Sequence, residues 1–198
     1  MADLNDVTMD VTLFDDNSGN YADINANHEL LVHDDHGFAV LDGDRWQTSV
    51  KYGRGFSTVN EFVTISGQAE TDFLLITNPT GSGKIAYFEE WNYTYNKGAG
   101  ISILRAYSGP TITANGTAQS VVKLKPSSAI STALSVYRAP TISARGTLTR
   151  IVGQSAVGSF VYHTDLGAML ESNSSLLLTI QPAANNTDHS LFVEWEEQ

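Results

Sequence analysis

Along most of the chain, apolar and polar residues alternate in short runs, each closed by turn-forming residues. No stretch sustains the three-to-four-residue periodicity of a helix. Thr, Ser, Val, Ile and Tyr fill the runs, residues that suit a pleated, half-buried surface. The pattern predicts strands over Glu61–Ser66, Phe73–Thr77, Ile85–Tyr95, Ile101–Tyr107, Ser120–Leu124, Ala133–Arg138, Thr147–Val152, Leu176–Gln181 and Ser190–Glu196. Turn signals fall between them, at Asn78-Pro79-Thr80-Gly81-Ser82-Gly83, Asn96–Gly100, Asn115-Gly116, Lys125-Pro126-Ser127-Ser128 and Asn185-Asn186. Short strands at near-regular spacing predict an all-β protein, a β-sandwich of jelly-roll type. Ser155–Leu170 fits the pattern least and reads as a long loop or a short helix near Ala168-Met169-Leu170.

One internal repeat is present. Tyr107–Thr117 matches Tyr137–Thr147 at seven of eleven positions, with a constant offset of thirty. Two copies are too few for a solenoid and predict two equivalent strand–turn units on opposing or adjacent strands. Pro110 and Pro140 have no N–H for a ladder, so each marks a strand start or an edge. Gly116-Thr117 and Gly146-Thr147 would each close a turn and open the next strand.

Residues 1–58 follow a different plan and read as an acidic, mostly extended N-terminal arm, with residues 59–198 forming the sandwich. Tyr21–Asn25 and Glu29–His33, joined by Ala26-Asn27-His28, read as a small β-hairpin. Gly53-Arg54-Gly55 reads as a flexible joint before a boundary near Ser57. Charge marks the same division. Of the net charge of −11, all comes from residues 1–44, which hold eleven acids and no Lys or Arg; the remainder sums to zero. An arm of this sign repels phosphate backbones, so nucleic acid is not an expected partner.

With no cysteine, disulfides, thiolate metal sites and cysteine nucleophiles are excluded. The first ten residues lack a basic segment followed by an apolar run, so no secretory signal is expected. Apolar runs are a few residues long, against the ~18 that span a bilayer, and no membrane partner is expected.

Several motifs approach known chemistry without completing it. Asn78–Lys84 resembles a phosphate loop, but Asn78 stands where Gly is needed and Ile85 where Ser or Thr is needed, and a strand rather than a helix follows. Asp23, Asn25, Asn27, Glu29 and Asp34 match a calcium-loop spacing, but His28 replaces the glycine of its sharp turn. His28, His33 and His36 lack metal-ligand spacing, and His163 and His189 are isolated; all read as solvated. Glu89-Glu90-Trp91 and Glu194-Trp195-Glu196-Glu197 place carboxylates beside aromatics, as a glycosidase does, yet on strands they read as Trp in the core and Glu in water. No serine sits in a nucleophile elbow. No catalytic residue, cofactor or metal is expected, and the chain is expected not to be an enzyme.

Some segments resemble structural proteins of tailed bacteriophages. Tyr21–Val32 is similar to a strand–turn–strand element of such virion proteins, usually written with Val at Ile24 and Asp-Gly at Asn27-His28. Leu74–Lys84, with its Asn-Pro-small-Gly-Ser-Gly-Lys loop, the paired Tyr-x-x-Pro-Thr-Ile and the ending Leu191–Glu197 resemble the same class. The resemblance implies a virion protein, made in the host cytoplasm, of capsid-decoration or head-associated type. It implies a homo-oligomer, with a trimer favoured, bound to the major capsid protein or other virion proteins. The arm residues Tyr21, Ile24, Leu30, Leu31, Val32 and Trp46 are the expected partner contacts. The alternative is a tail-tip or fibre component that stacks host glycan on Trp91, Tyr93 and Tyr95, with Trp46 and Tyr87 nearby.

Overall fold

A computed structural model describes the backbone of residues 21–24, 30–34, 37–40, 49–58, 61–96, 100–154, 158–163 and 168–198, and the side chains of 49–58, 61–96, 100–151 and 168–198. The chain divides into two compact units, Met1–Thr48 and Ser49–Gln198. In the first, β1 (Tyr21–Ile24), β2 (Leu30–Asp34) and β3 (Gly37–Val40) form an antiparallel sheet in that order. The expected hairpin is therefore present, in the register Tyr21↔His33 to Ile24↔Leu30, and a third strand is added to it.

In chain order the second unit contains β4 (Gly55–Thr58), β5 (Val63–Ile65), β6 (Thr71–Asn78), β7 (Ala86–Asn96), β8 (Ser102–Ser108), β9 (Thr111–Ala114), β10 (Thr117–Gln119), β11 (Val121–Lys123), β12 (Ser135–Arg138), β13 (Thr141–Ala144), β14 (Thr147–Gln154), β15 (Gly158–His163), β16 (Met169–Leu170), β17 (Ser174–Gln181) and β18 (Thr187–Glu197). One sheet runs β10-β12-β6-β17-β8-β14. A second runs β11-β4-β18-β7-β15, with β5 on β18 and β16 on β7; β9 and β13 make a two-stranded ribbon. The fold is an all-β sandwich.

The two large sheets share one interior. Leu74 and Ile76 of β6, Leu104 of β8, Val136 of β12 and Leu178 of β17 enter it from the first sheet. Phe56 of β4, Trp91, Tyr93 and Tyr95 of β7, and Val193 and Trp195 of β18 enter from the second. The alternation on β7 and β18 is the period-two signal of a strand with one face on a core. Trp195 anchors one end, its ring 6.1 Å from Phe56 and 6.4 Å from Phe88, centroid to centroid.

Every strand expected in the body is present, with shifted ends. The arm boundary moves. β4 lies between β11 and β18, with Phe56 opposite both Lys123 and Trp195, so residues 49–58 belong to the body. Gly53-Arg54-Gly55 is packed rather than jointed. Gly53 is buried at φ +78°, where a Cβ would lie 2.2 Å from Ser128 Oγ, and the Leu124 N–H donates to Gly55 O at 3.1 Å. The stretch expected as loop or helix holds β15 and β16. Both are recruited by the ladder groups of β7, and sheet pairing outweighs weak local preference.

The repeat has a geometric meaning. In the first sheet β6 pairs with β17, β8 flanks β17 as β12 flanks β6, and β14 flanks β8 as β10 flanks β12. A pseudo-twofold axis thus passes between Leu75 and Leu177, which face each other. Tyr137 lies level with Leu75, and Tyr107 with Leu177. The Gly109 N–H donates to Ser175 O and the Ala139 N–H to Phe73 O, both at 3.1 Å, as the same axis requires. Each repeat then crosses to the other. Thr117 pairs with Arg138 and Thr147 with Ser108. Between these anchors β9 and β13 pair, with Ile112 opposite Ile142, so the ribbon spans the sheet on the face away from the shared interior. Leu75 and Leu177 stand outside the interior cluster and are nonetheless 0 % exposed, the burial that a ribbon across this face produces.

Candidate functional site

The aromatic residues suggested as a glycan platform are in the core. Trp91, Tyr93 and Tyr95 are 2, 1 and 0 % exposed, all on the inward face of β7, so no sugar can stack on them. Of the expected arm contacts, Tyr21, Ile24, Leu30, Leu31 and Val32 lie in β1 and β2, and Trp46 lies outside the described residues. The register separates them. Tyr21 and Leu31 occupy positions on one face of the small sheet, and Ile24, Leu30 and Val32 positions on the other. Asp23 and Asp34 pair as strand residues, opposite Leu31 and Gly37, which is not the geometry of a calcium loop; residues 25–29 lie outside the described set.

The Asn78–Lys84 segment is no hairpin turn but a loop that passes from β6 in the first sheet to β7 in the second, held by side-chain hydrogen bonds. Asn78 Nδ2 donates to Lys84 O at 2.8 Å and to Leu170 O at 2.9 Å. Thr80 Oγ1 donates to Asn173 Oδ1 at 2.8 Å, and the Gly81 N–H to Ser172 Oγ at 3.1 Å. The Gly81, Ser82 and Lys84 amides thereby meet protein partners, and a strand, not a helix, follows the loop.

The terminal carboxylates depart from the expectation of Glu in water. Glu196 and Glu197 are 0 and 2 % exposed. Glu196 accepts from Ser49 Oγ and from Gln198 Nε2. Glu197 accepts from Thr132 Oγ1, from the Ala133 N–H at 2.8 Å and from Trp195 Nε1 at 3.0 Å. Such bonds offset the cost of burying a charge. They tie the last strand to residue 49 and to the loop before β12.

His189 also departs from the solvated reading. It is 0 % exposed and stacks between Tyr93 and Tyr95, with centroids 6.0 and 5.8 Å away. Tyr93 Oη lies 2.8 Å from Nδ1 and Thr187 Oγ1 lies 2.7 Å from Nε2. Burial, only partly opposed by the Asp188 charge, pushes its pKa down to about 4, so the ring is neutral at pH 7. Burial likewise pushes the Tyr93 hydroxyl well above its ordinary value. Both ring nitrogens are occupied within the core, which suits a structural role.

A charged network breaks the pseudo-symmetry. Arg145, at the end of β13, places Nε 2.7 Å from Asp72 Oδ1 and Nη1 3.3 Å from Glu70 Oε2, and donates from Nη2 to Glu70 O. Arg105 lies 3.5 Å from Glu70, and Tyr107 Oη and Thr179 Oγ1 donate to its Oε1. Burial raises the Glu70 pKa, but the Thr179 and Tyr107 bonds and the two guanidinium charges outweigh it, and the net shift is downward. The axis relates Arg145 to Asn115, Arg105 to Ser135 and Thr179 to Thr77, none of them charged. The network therefore pins one end of the ribbon and has no counterpart at the other.

Among the described residues, three clefts are of note. One, of about 360 Å³, runs from Phe56 and Lys123 to Tyr137. Another, of about 350 Å³, is walled by Trp91, Met169, Leu176 and Arg150, and Trp91 Nε1 has no hydrogen-bond partner among the described residues. The third, of about 430 Å³, lies beside Phe73 and Arg138. Among the described residues no group of three His, Asp or Glu side chains is placed to hold a metal ion. The site residues the sequence suggested are thus either core or arm positions, and the polar clusters it did not suggest are internal fastenings. Comparison with known proteins adds no likeness: no family model, curated protein or solved structure matches this chain.

Proposed function

We propose that the chain is a non-enzymatic structural protein of a tailed-phage virion, a decoration or cement protein that binds the major capsid protein through its N-terminal unit and assembles as a homotrimer. The observation that carries this reading is the division at Thr48/Ser49, which separates a unit with a net charge of −10, eleven acids against Arg45, from a nearly neutral body whose Phe56, Trp91, Tyr93, Tyr95 and Trp195 side chains are turned inward. A body of this kind is a rigid mass to present. A short three-stranded sheet is a means of attachment, because a sheet edge can add strands from a partner. Of the residues that resemble phage virion proteins, Tyr21–Ile24 and Leu30–Val32 fall in the small sheet, and Leu74–Lys84 in β6 and the loop that follows it. The test is deletion of residues 1–48. The truncated protein keeps its β-rich circular dichroism and no longer co-sediments with expanded capsids; undiminished co-sedimentation overturns the assignment.

A further inference from the structure

Four of the chain's eleven bases, Lys51, Arg54, Lys123 and Lys125, gather at one corner of the second sheet, where β11 forms its edge. Backbone and side-chain bonds hold the two contributing segments together. Lys125 Nζ donates to Lys51 O at 2.7 Å, Lys123 Nζ to Ser128 O at 3.0 Å, and Ser128 Oγ to Gly53 O at 3.1 Å. Among the described residues, Arg105, Arg138 and Arg145 form ion pairs with Glu70, Glu61 and Asp72. The acids at this corner, Glu196 and Glu197, are buried and bonded inward. The corner is thus a fixed group of like charges, exposed at Lys51, Arg54 and Lys125 and half-buried at Lys123, in a body whose net charge is only −1.

The matching charge is on the same chain, in residues 1–44, with eleven acids and no base. We propose that this corner receives the acidic N-terminal unit of a second copy of the protein, linking copies arm to body. The inference rests on the reading of residues 1–48 as a docking unit and names a partner for it. Two different surfaces meet in such a contact, so it is heterologous, and it closes into a ring when the rotation between copies allows, as a trimer requires. Because the attraction is between surface charges, it weakens as salt shortens the screening length.

The test uses the full chain, mixed from isotopically light and heavy preparations. At about 50 mM NaCl, carbodiimide coupling is expected to join arm carboxylates of one isotope to Lys51, Lys123 or Lys125 of the other. Sedimentation is expected to show oligomers whose dissociation constant rises about tenfold or more by 500 mM NaCl. K51E/R54E/K123E/K125E is expected to be monomeric, while K84E, at an exposed lysine outside the corner, associates like the wild type. A wild-type monomer at low salt, links confined to single copies, or normal association of the fourfold variant would each overturn the inference. The first two readouts hold even if that variant misfolds. Capsid binding with no links between copies removes this inference alone, whereas capsid binding that survives deletion of 1–48 removes the functional reading alone.

Discussion

Leu75 and Leu177 face one another across the β6–β17 pair, on the pseudo-twofold axis, and both are fully buried on the face away from the sandwich interior. They form a second, smaller core beneath the ribbon. Leu75→Ala or Leu177→Ala is expected to cost about 2–5 kcal/mol each, the range for a cavity left by a buried leucine. The two losses should not add, because each side chain lines the other's cavity. Urea denaturation of the single and double variants measures both quantities.

Gly116 and Gly146 sit at φ +88° and +85°, and a Cβ on either would meet a carbonyl oxygen of the other repeat, Arg138 O at 2.3 Å or Ser108 O at 2.2 Å. Gly81 has φ +78° and open space around it. Gly81→Ala should therefore cost only the left-handed backbone penalty, about 1 kcal/mol. Gly116→Ala and Gly146→Ala add a backbone clash to that penalty, and each should exceed it by about 1 kcal/mol or more. Thermal melts of the three variants rank them, and a Gly81 variant as unstable as the others would contradict the clasped geometry.

His189 makes stability depend on pH between 6.5 and about 4. The folded state resists protonation while the unfolded chain accepts it below 6.5, so the unfolded state binds more protons within this window. Stability is fully present above 6.5 and falls as pH drops towards about 4, by about 3 kcal/mol in all. Glu70, whose pKa is lowered, contributes in a separate window, below its ordinary value of 4.5. Urea midpoints at pH 7, 5.5 and 4 are expected to trace the first loss. His189→Gln should start from lower stability and show a flat response between pH 7 and 5.

The unit boundary predicts that truncation depends sharply on ten residues. Removal of 1–48 leaves β4 in place; removal of 1–58 takes it from between β11 and β18, together with Phe56, which is 0 % exposed against Trp195. Loss of that ring alone is worth about 3–5 kcal/mol. Circular dichroism and tryptophan emission should report a cooperative fold for the first truncation and an unfolded or associating chain for the second.

The strands with clear alternation, such as β7 and β18, were legible because their period sets which face meets the core. The inward reading was made for Trp91, and the same period of two extends it to Tyr93 and Tyr95, which the glycan alternative had placed outside. The roles of Pro110, Pro140, Gly116 and Gly146 were legible from backbone chemistry. The partners of those turns were not, since nothing local in Thr117 or Thr147 names Arg138 or Ser108 as the strand opposite. β4 escaped because all four of its residues are buried, and a strand covered on both faces does not alternate. The burial of Glu196 and Glu197 escaped for a similar reason. The groups that make it tolerable, Ser49, Thr132 and Ala133, are far away in the chain.

The crossed repeats also bear on how the chain reaches this state. Neither repeat can finish its own sheet edge, because each supplies the outer strand of the other. No half is a self-sufficient folding nucleus, and both crossings must close together before the leucines beneath them are dry. Much loop-closure entropy is spent before non-local pairing rewards it, which places such topologies among the slow folders, in the millisecond-to-second range. Refolding kinetics, more than equilibrium stability, should therefore be the property most sensitive to changes in residues 108–117 and 138–147.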